Sequence, residues 1–505
     1  MAVMGLDPRT PVLVGGGQWS NRVDRGEPVV EPVELLAEAA RRAAADTGAA
    51  DPGKVLAAID SVRVVSMLSW RYRDPGRLVA ERLGLGGVRH TLYSNAGGNT
   101  PQSLVNRSAL DIAAGALDVV LIGGAEAWRT RMAVRSAGGH LDWTVQDDDV
   151  SPDERFGGEF AVDDMVHPLE MARGIVMPVQ VYPVFECALR AAAGVGHDEW
   201  AAHLGRLWSG FSEVAAANPH AWVQEAYGPE EVGAVSADNR MIGWPYPKRL
   251  NSNNAVEQGA AVLLCSVEAA ERLGVPRDRW VFPHAGTDGH DTAHVSARRD
   301  LRSSPAIRVA GRRALDLAGA DADAIAHADF YSCFPSAVQI GAAEIGFGLD
   351  RQLTVTGGLS FAGGPWNDYV THSIATMIGV LRADPGSLGL ITANGGFVTK
   401  HAFGVYGTEP PADGFRWEMP QDEIDASFTP TPVGSESDHG PVTVEAATVM
   451  HDRDGIPELA IAAVRTADGA RTWATSRAPD VHEAFLTTEP VGLDATLTED
   501  ATLHL

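Results

Sequence analysis

The chain has 505 residues, of which 45% are hydrophobic and 21% charged; this is a globular composition with length for about three or four domains. A formal charge of −26 repels phosphate backbones and anionic lipid, which argues against nucleic-acid and membrane-surface partners. Cys187, Cys265 and Cys333 are odd in number and far apart, so no disulfide framework is expected.

The opening MAVMGLDPRTPVLVGGG lacks the apolar core of a signal peptide. No run of about eighteen apolar residues predicts a membrane span, so a cytoplasmic protein is expected. PVLVGGG (11–17) reads as a buried strand running into a turn. Leu35, Leu36, Ala39, Ala40 and Ala43 then fall at helical spacing, closed by Gly48. IDSVRVVS (59–66) is the next strand, and 78–83 is a short helix closed by Gly84. Strands alternating with helices predict an α/β fold with a largely parallel sheet.

One order of features occurs twice. Ala96-Gly97-Gly98 opens a helical stretch (102–115), and DVVLIGGAEA (118–127) gives a strand ending in Gly123-Gly124. Ala362-Gly363-Gly364 opens another helical stretch up to Arg382, and LGLITANGGF (388–397) gives a strand ending in Gly395-Gly396. The period far exceeds that of a solenoid, so two similar halves packed together are expected. Between them, 128–254 is richer in Trp, His, Pro and charge; it reads as an inserted loop region with one amphipathic helix around 184–193. AVEQGAAVLLCS (255–266) returns to a core strand.

The expected division is 1–127 with 255–270 as the first half, 128–254 as the insertion, and 271–407 as the second half. A linker, 408–415, precedes 416–505, where short alternating strands predict a small antiparallel barrel. The histidines of His284, His290-Asp291 and His294 match no standard zinc spacing and read as a polar loop, so no metal is expected.

These motifs together resemble the thiolase superfamily over roughly 8–407, nearest in flavour to the sterol-carrier-protein-type thiolases. The carriers are AGGNTPQSLVNRSALDIAAGALDVVLIGGAEAW, NRMIGWPYPKRLNSNNAVEQGAAVLL, DFYSCFPSAVQ and GGLSFAGGPWNDYVTHS, followed by ITANGG. The tail resembles the OB-like barrel of acyl-CoA-associated proteins. The resemblance implies a thiolase fold of two duplicated βαβαβ-type halves with an inserted loop region, CoA or acyl-CoA as ligand, and usually a dimer, with a monomer also possible.

It also implies catalytic side chains that this sequence lacks. The family's nucleophilic cysteine falls at Gly98, its Gly-His-Pro histidine at Gly364, its second cysteine at Thr392, and the first residue of its Asn-Glu-Ala-Phe motif at Tyr331. Gly98 then either only makes the turn into its helix, or leaves an enlarged pocket whose backbone N–H groups face a thioester oxygen. The remaining candidates for chemistry are Tyr331, Tyr369 and His372. Candidates for CoA contact are Arg240, Lys248 and Arg249 of the insertion, with the backbone at Gly98 and Gly395.

Three functions follow as expectations: a CoA- or acyl-CoA-binding protein of lipid metabolism without thiolase activity; a tyrosine-assisted retro-aldolase on β-hydroxyacyl-CoA; or an acyltransferase with a displaced nucleophile such as Cys333. Cys187 and Cys265 read as packing residues.

Overall fold

The computed structural model describes residues 6–157 and 165–505. The first five residues of the chain's opening, and 158–164 of the insertion, lie outside them.

The first sheet comprises β1 (Pro11–Ser20), β2 (Ser61–Val64), β3 (His90–Ser94), β4 (Val119–Ala127), β5 (Glu154–Phe156) and β8 (Glu257–Ser266), in the order β1-β8-β4-β2-β3-β5. The insertion supplies β6 (Met241–Gly243) and β7 (Tyr246–Pro247). The second sheet comprises β9 (Phe282–His290), β10 (Ile325–Asp329), β11 (Leu388–Gly395), β12 (Lys400–Gly407) and β13 (Arg416–Glu418), in the order β10-β11-β12-β9-β13.

The two sheets repeat one plan. β1 and β4 flank β8 antiparallel and β2 lies parallel to β4; β9 and β11 flank β12 antiparallel and β10 lies parallel to β11. The repeat read from the two glycine turns is therefore a structural duplication. Each turn leads into a buried helix between the sheets: a first core helix, Thr100–Ala113, and a second, Tyr369–Ala383. The first packs on strands of both sheets, as does the second, and the two touch each other. Helices buried over most of their surface need apolar or hydrogen-bonded faces, and both are rich in Ala, Leu, Ile, Ser and Thr.

The insertion is more helical than its composition suggested. Pro178–Ala193 and His197–Ala217 are both long helices. The second buries Trp200, Leu204, Leu207, Trp208, Phe211 and Ala215, a stripe at helical spacing. The His284 and His290 segment is strand β9, not a loop. His284 binds the Glu409 carbonyl at 2.8 Å, and His290 binds the Asp291 carbonyl at 3.1 Å. Among the described residues, no group of three or more His, Cys, Asp or Glu is placed to hold a metal, and no helix is long and apolar enough to cross a membrane.

The C-terminal sheet is antiparallel: β14 (Gly440–His451), β15 (Pro457–Thr466), β16 (Arg471–Ser476), β17 (Asp494–Leu497) and β18 (Leu503–His504), in the order β16-β15-β14-β17-β18. A bridge between Thr475 and Thr502, with Thr475 N donating to Ala501 O at 3.1 Å, brings its two ends together. An added helix, Pro479–Thr487, packs Val481 and Phe485 into its core. The insertion joins this sheet through β6, which pairs Gly243 with Met450 of β14.

Arg471 anchors the C-terminal sheet to the rest. Its fully buried guanidinium meets Glu445 at 2.7 Å and donates to the carbonyls of Ser296, at 3.0 Å, and Arg298, at 2.5 Å. Arg471→Ala leaves Glu445 paired with Arg465 alone and takes the donor from the carbonyls of Val295, Ser296 and Arg298. It is expected to cost about 2–4 kcal/mol in urea unfolding, whereas a loss under about 1 kcal/mol would assign the anchor no more weight than a surface pair.

Candidate functional site

The two glycine turns meet the ends of β10 and β11 at the centre of the molecule. Gly97 (φ 155°) and Gly363 (φ 116°) hold backbone conformations that side chains resist. Gly97 N donates to Asn367 Oδ1 at 2.9 Å, which ties the first turn to the start of the second core helix. Gly98 and Gly364 are glycines for another reason: their neighbours occupy the space.

A Cβ on Gly98 would overlap the Tyr331 hydroxyl and lie 2.7 Å from its Cζ and 2.5 Å from the Asn394 carbonyl. The missing side chain does not open a pocket, so the second of the two readings of Gly98 is corrected: a phenol from the other half has filled the place. At Gly364 a Cβ would overlap the Ser252 hydroxyl and come 2.9 Å from Asn254 Oδ1. Ser252 itself donates to Asn254 Oδ1 at 2.8 Å, and Gly364 N donates to Asn253 O at 2.9 Å. The NSNN loop thus stands where the histidine would. The cavity beside Tyr331, Thr392 and Asn394 measures about 20 Å³, room for one water.

Tyr331 is held by its backbone. It follows β10, and its N–H donates to Thr392 Oγ1 at 2.9 Å. Its ring stands edge-on to Tyr369, 5.6 Å between centroids. Burial, with a smaller contribution from Cys333, pushes the Tyr331 phenol well above its ordinary range. Tyr331 is a proton donor at neutral pH, not a base.

Tyr369 is engaged elsewhere. Its hydroxyl binds Asp329 Oδ1 at 2.9 Å and Thr356 Oγ1 at 2.6 Å. Asp329, fully buried, also accepts from Ser373 (2.7 Å), Thr354 (2.9 Å) and Val355 N (3.0 Å). Burial raises its pKa despite these donors. The sequence reading passed over this aspartate, although DFYSCF places it two residues before Tyr331.

His372 lies one helical turn past Asp368 in the second core helix. Its Nδ1 meets Gln18 Oε1 at 2.9 Å, and its Nε2 lies 3.9 Å from Asp368 Oδ2. Burial, and then His220, push it down to about 3, so it is neutral. Asp368 is raised well above the carboxylate range by burial and by nearby Glu126, itself raised by burial to about 7.

The basic candidates do not converge. Arg240 donates to Met241 O (3.2 Å) and Asp452 O (3.1 Å). Arg249 donates to Glu231 O (3.1 Å) and stacks over Tyr227 at 4.2 Å. Lys248 is exposed. A cation beside the centre is Lys400, which the sequence reading passed over: its Nζ donates to Ala96 O at 2.8 Å, and its stem lies 3.3 Å from where a Gly395 Cβ would sit. Cys333 is buried, and burial pushes its thiol up to about 12. Cys187 and Cys265 are likewise raised, to about 11 and about 12.

Two outcomes are expected. Gly98→Ala forces Tyr331 or the Asn394 carbonyl aside and should cost about 1–3 kcal/mol in chemical denaturation, part of it recovered in Gly98→Ala/Tyr331→Ala; an Ala at no cost would mean the contact is loose. The His372 pKa is about 3 folded against an ordinary 6.5, so stability is full above 6.5 and falls with pH below it, by about 1.4 kcal/mol per pH unit toward 3. His372→Gln should flatten that part of the stability–pH curve, and an unchanged slope would place the titration elsewhere.

Residues 420–502 match the thiolase-like protein type 1 additional C-terminal domain. No curated protein matches the chain. Among solved structures, the monomeric SCP2-thiolase-like protein type 1 of Mycobacterium smegmatis is 32% identical with a TM-score of 0.82, covering 99% of this chain and 100% of that one. An Ltp2–ChsH2(DUF35) aldolase is 19% identical with a TM-score of 0.59, over 80% of this chain and 98% of that one. The dimeric peroxisomal thiolase of Saccharomyces cerevisiae is 13% identical with a TM-score of 0.56, over 80% and 99%. At those identities the last two speak for the fold alone. With a thiolase fold over both halves, and a relative matched along its whole length, the chain belongs to the SCP2-thiolase-like protein type 1 family of the thiolase superfamily.

Proposed function

We propose that this protein binds CoA or acyl-CoA in lipid metabolism and does not carry out thiolase chemistry. The observation that carries the second half is the Tyr331 hydroxyl packed against Gly98. An acyl-enzyme needs a nucleophile at the N-terminus of the first core helix, and a phenol that burial keeps protonated is not one. Ser252 in place of the histidine removes the base as well. Cys333, protonated at neutral pH, does not substitute for them. CoA binding is supported by membership of the superfamily and by Lys400 beside the first glycine turn, where a cation and the helix N-terminus favour an anionic or thioester oxygen.

A monomer suits this reading. The outer edge of β3 is covered within the chain by β5, which pairs Leu92–Ser94 with Glu154–Phe156 and takes up an edge through which another copy could add.

One observation favours a second reading, retro-aldol cleavage of a β-hydroxyacyl-CoA. Tyr331 presents a proton-donating hydroxyl at the helix N-terminus, where an enolate oxygen formed on cleavage would need one.

Intact-mass analysis and thermal shift with a panel of acyl-CoA esters test these readings together. The expected result is a raised melting temperature without a covalent adduct. An adduct lost in Cys333→Ala would establish the displaced nucleophile instead, and no thermal response to any CoA ester would refute binding. Release of an aldehyde or ketone from β-hydroxyacyl-CoA, abolished in Tyr331→Phe, would favour the aldolase.

A further inference from the structure

The helix His197–Ala217 of the insertion faces the segment 349–354, which follows the helix Pro335–Ile345 of the second half. Between them runs a cleft of about 520 Å³, within the range of small-molecule sites. It shares no lining residue with the cavity of about 20 Å³ beside Tyr331.

The floor of the cleft is apolar. Leu207, Phe211 and Leu353 are buried, and Val214 and Leu349 are half-buried beside them. Leu207, Phe211 and Val214 form a stripe at helical spacing, and Gly210 stands within it. After proline, glycine is the poorest residue for a helix interior. Gly205 has a packing reason, because a Cβ there would overlap the Pro229 carbonyl. A Cβ on Gly210 would touch nothing within 4 Å. No packing requires glycine at 210, and its effect is to leave the cleft open down to the helix backbone.

The charges lie along the helix. His203 and Arg206 stand toward its N-terminus and Glu213 toward its C-terminus, all lining the cleft. The seven residues from Arg206 to Glu213 span about 10 Å. His203 Nε2 meets Gln339 Oε1 at 3.2 Å. On the facing segment, the Arg351 guanidinium is committed: it donates to Ala322 O at 2.7 Å and to Ile325 O, and lies over Phe347 at 4.6 Å. Asp350 is exposed, with Oδ1 folded back against Gly348. Arg206 is different. Among the described residues, no hydrogen bond, ion pair or ring contact engages its guanidinium. A free fork of donors beside an apolar floor suits a carboxylate carried on an apolar body. Glu213, also unpaired, and Asp350 repel a second negative charge, which disfavours phosphates and hence CoA itself.

We propose that this cleft binds a small monocarboxylate with an apolar body about 10 Å long, its carboxylate on Arg206 and its body over Leu207, Gly210 and Phe211. The site is separate from the Tyr331 centre and stands whether or not a CoA ester binds there.

Calorimetric titration of the full chain with octanoate tests it, with octanol and octylamine as probes of the same body and different heads. Octanoate should bind, octanol at least about tenfold more weakly, and octylamine more weakly still. Arg206→Gln should weaken octanoate at least about tenfold and leave octanol unchanged. Gly210→Trp should abolish binding of both by filling the cleft. Both positions are exposed, so both variants should keep the wild-type melting temperature. No binding of octanoate, equal binding of octanol, or octanoate binding undiminished in either variant overturns the proposal. Tighter binding of octylamine than of octanoate would assign the cleft to a cation held by Glu213, and overturns it equally. Should one variant fail to fold, the other and the comparison of the three head groups still decide.

Discussion

The contact between the Tyr331 hydroxyl and the backbone at Gly98 is the constraint around which this structure is arranged. A tyrosine can reach across the pseudo-symmetric centre only if residue 98 has no side chain. Glycine at 98 in turn leaves a void that a phenol closes, and close packing makes such voids costly. The two residues come from different halves, one ahead of the first core helix and one after β10, so the contact joins the duplicated units where a thiolase would divide its chemistry between them. Ser252 against Gly364 repeats this on the other side.

The rest of the centre is organised to hold these substitutes. Thr392 Oγ1 accepts from the Tyr331 amide, and Asp329 accepts from Tyr369, Ser373 and the backbone at Val355. These polar groups face one another, not an open cavity. A buried carboxylate with several donors is costly to desolvate and worse to leave unpaired, so such a network fixes one arrangement of the strands around it. The C-terminal sheet extends the same logic outward. Arg471 binds it to the carbonyls of Ser296 and Arg298, and β6 of the insertion pairs with β14, so the insertion is held between the centre and the added domain.

Much of this was legible in the sequence, for physical reasons. Gly97-Gly98 and Gly363-Gly364, each followed by a buried helix and a strand ending in paired glycines, reveal the duplication because close backbone approach admits only glycine in both copies. The C-terminal strands were legible from alternation and from the turns at Gly455 and Gly469, both in left-handed conformations. What fills an absent side chain was not legible. Tyr331 lies 233 residues from Gly98 and Ser252 lies 112 from Gly364, and nothing local to either glycine reports which neighbour will reach it. His284 and His290 looked like a polar loop because β9 carries glycines where the first core helix packs closely, as at Gly286 against Asn106. The helix His197–Ala217 was hidden by its Trp, His and charged residues, although Trp200, Leu204, Trp208 and Phe211 carry the helical period. Lys400 matters through a partner in another segment, Ala96, a relation that sequence spacing does not encode.

A filled centre differs physically from a vacated one. A vacated site keeps a cavity that a ligand or a restored side chain could occupy; a filled site must first move Tyr331. A high-resolution crystal structure of the free protein would test this most directly. The account predicts electron density for the Tyr331 hydroxyl in van der Waals contact with Gly98, with the Ser252 hydroxyl against Gly364 and space for no more than a water between Tyr331 and Asn394. A Tyr331 ring turned away, with an open cavity at the head of the first core helix, would contradict it.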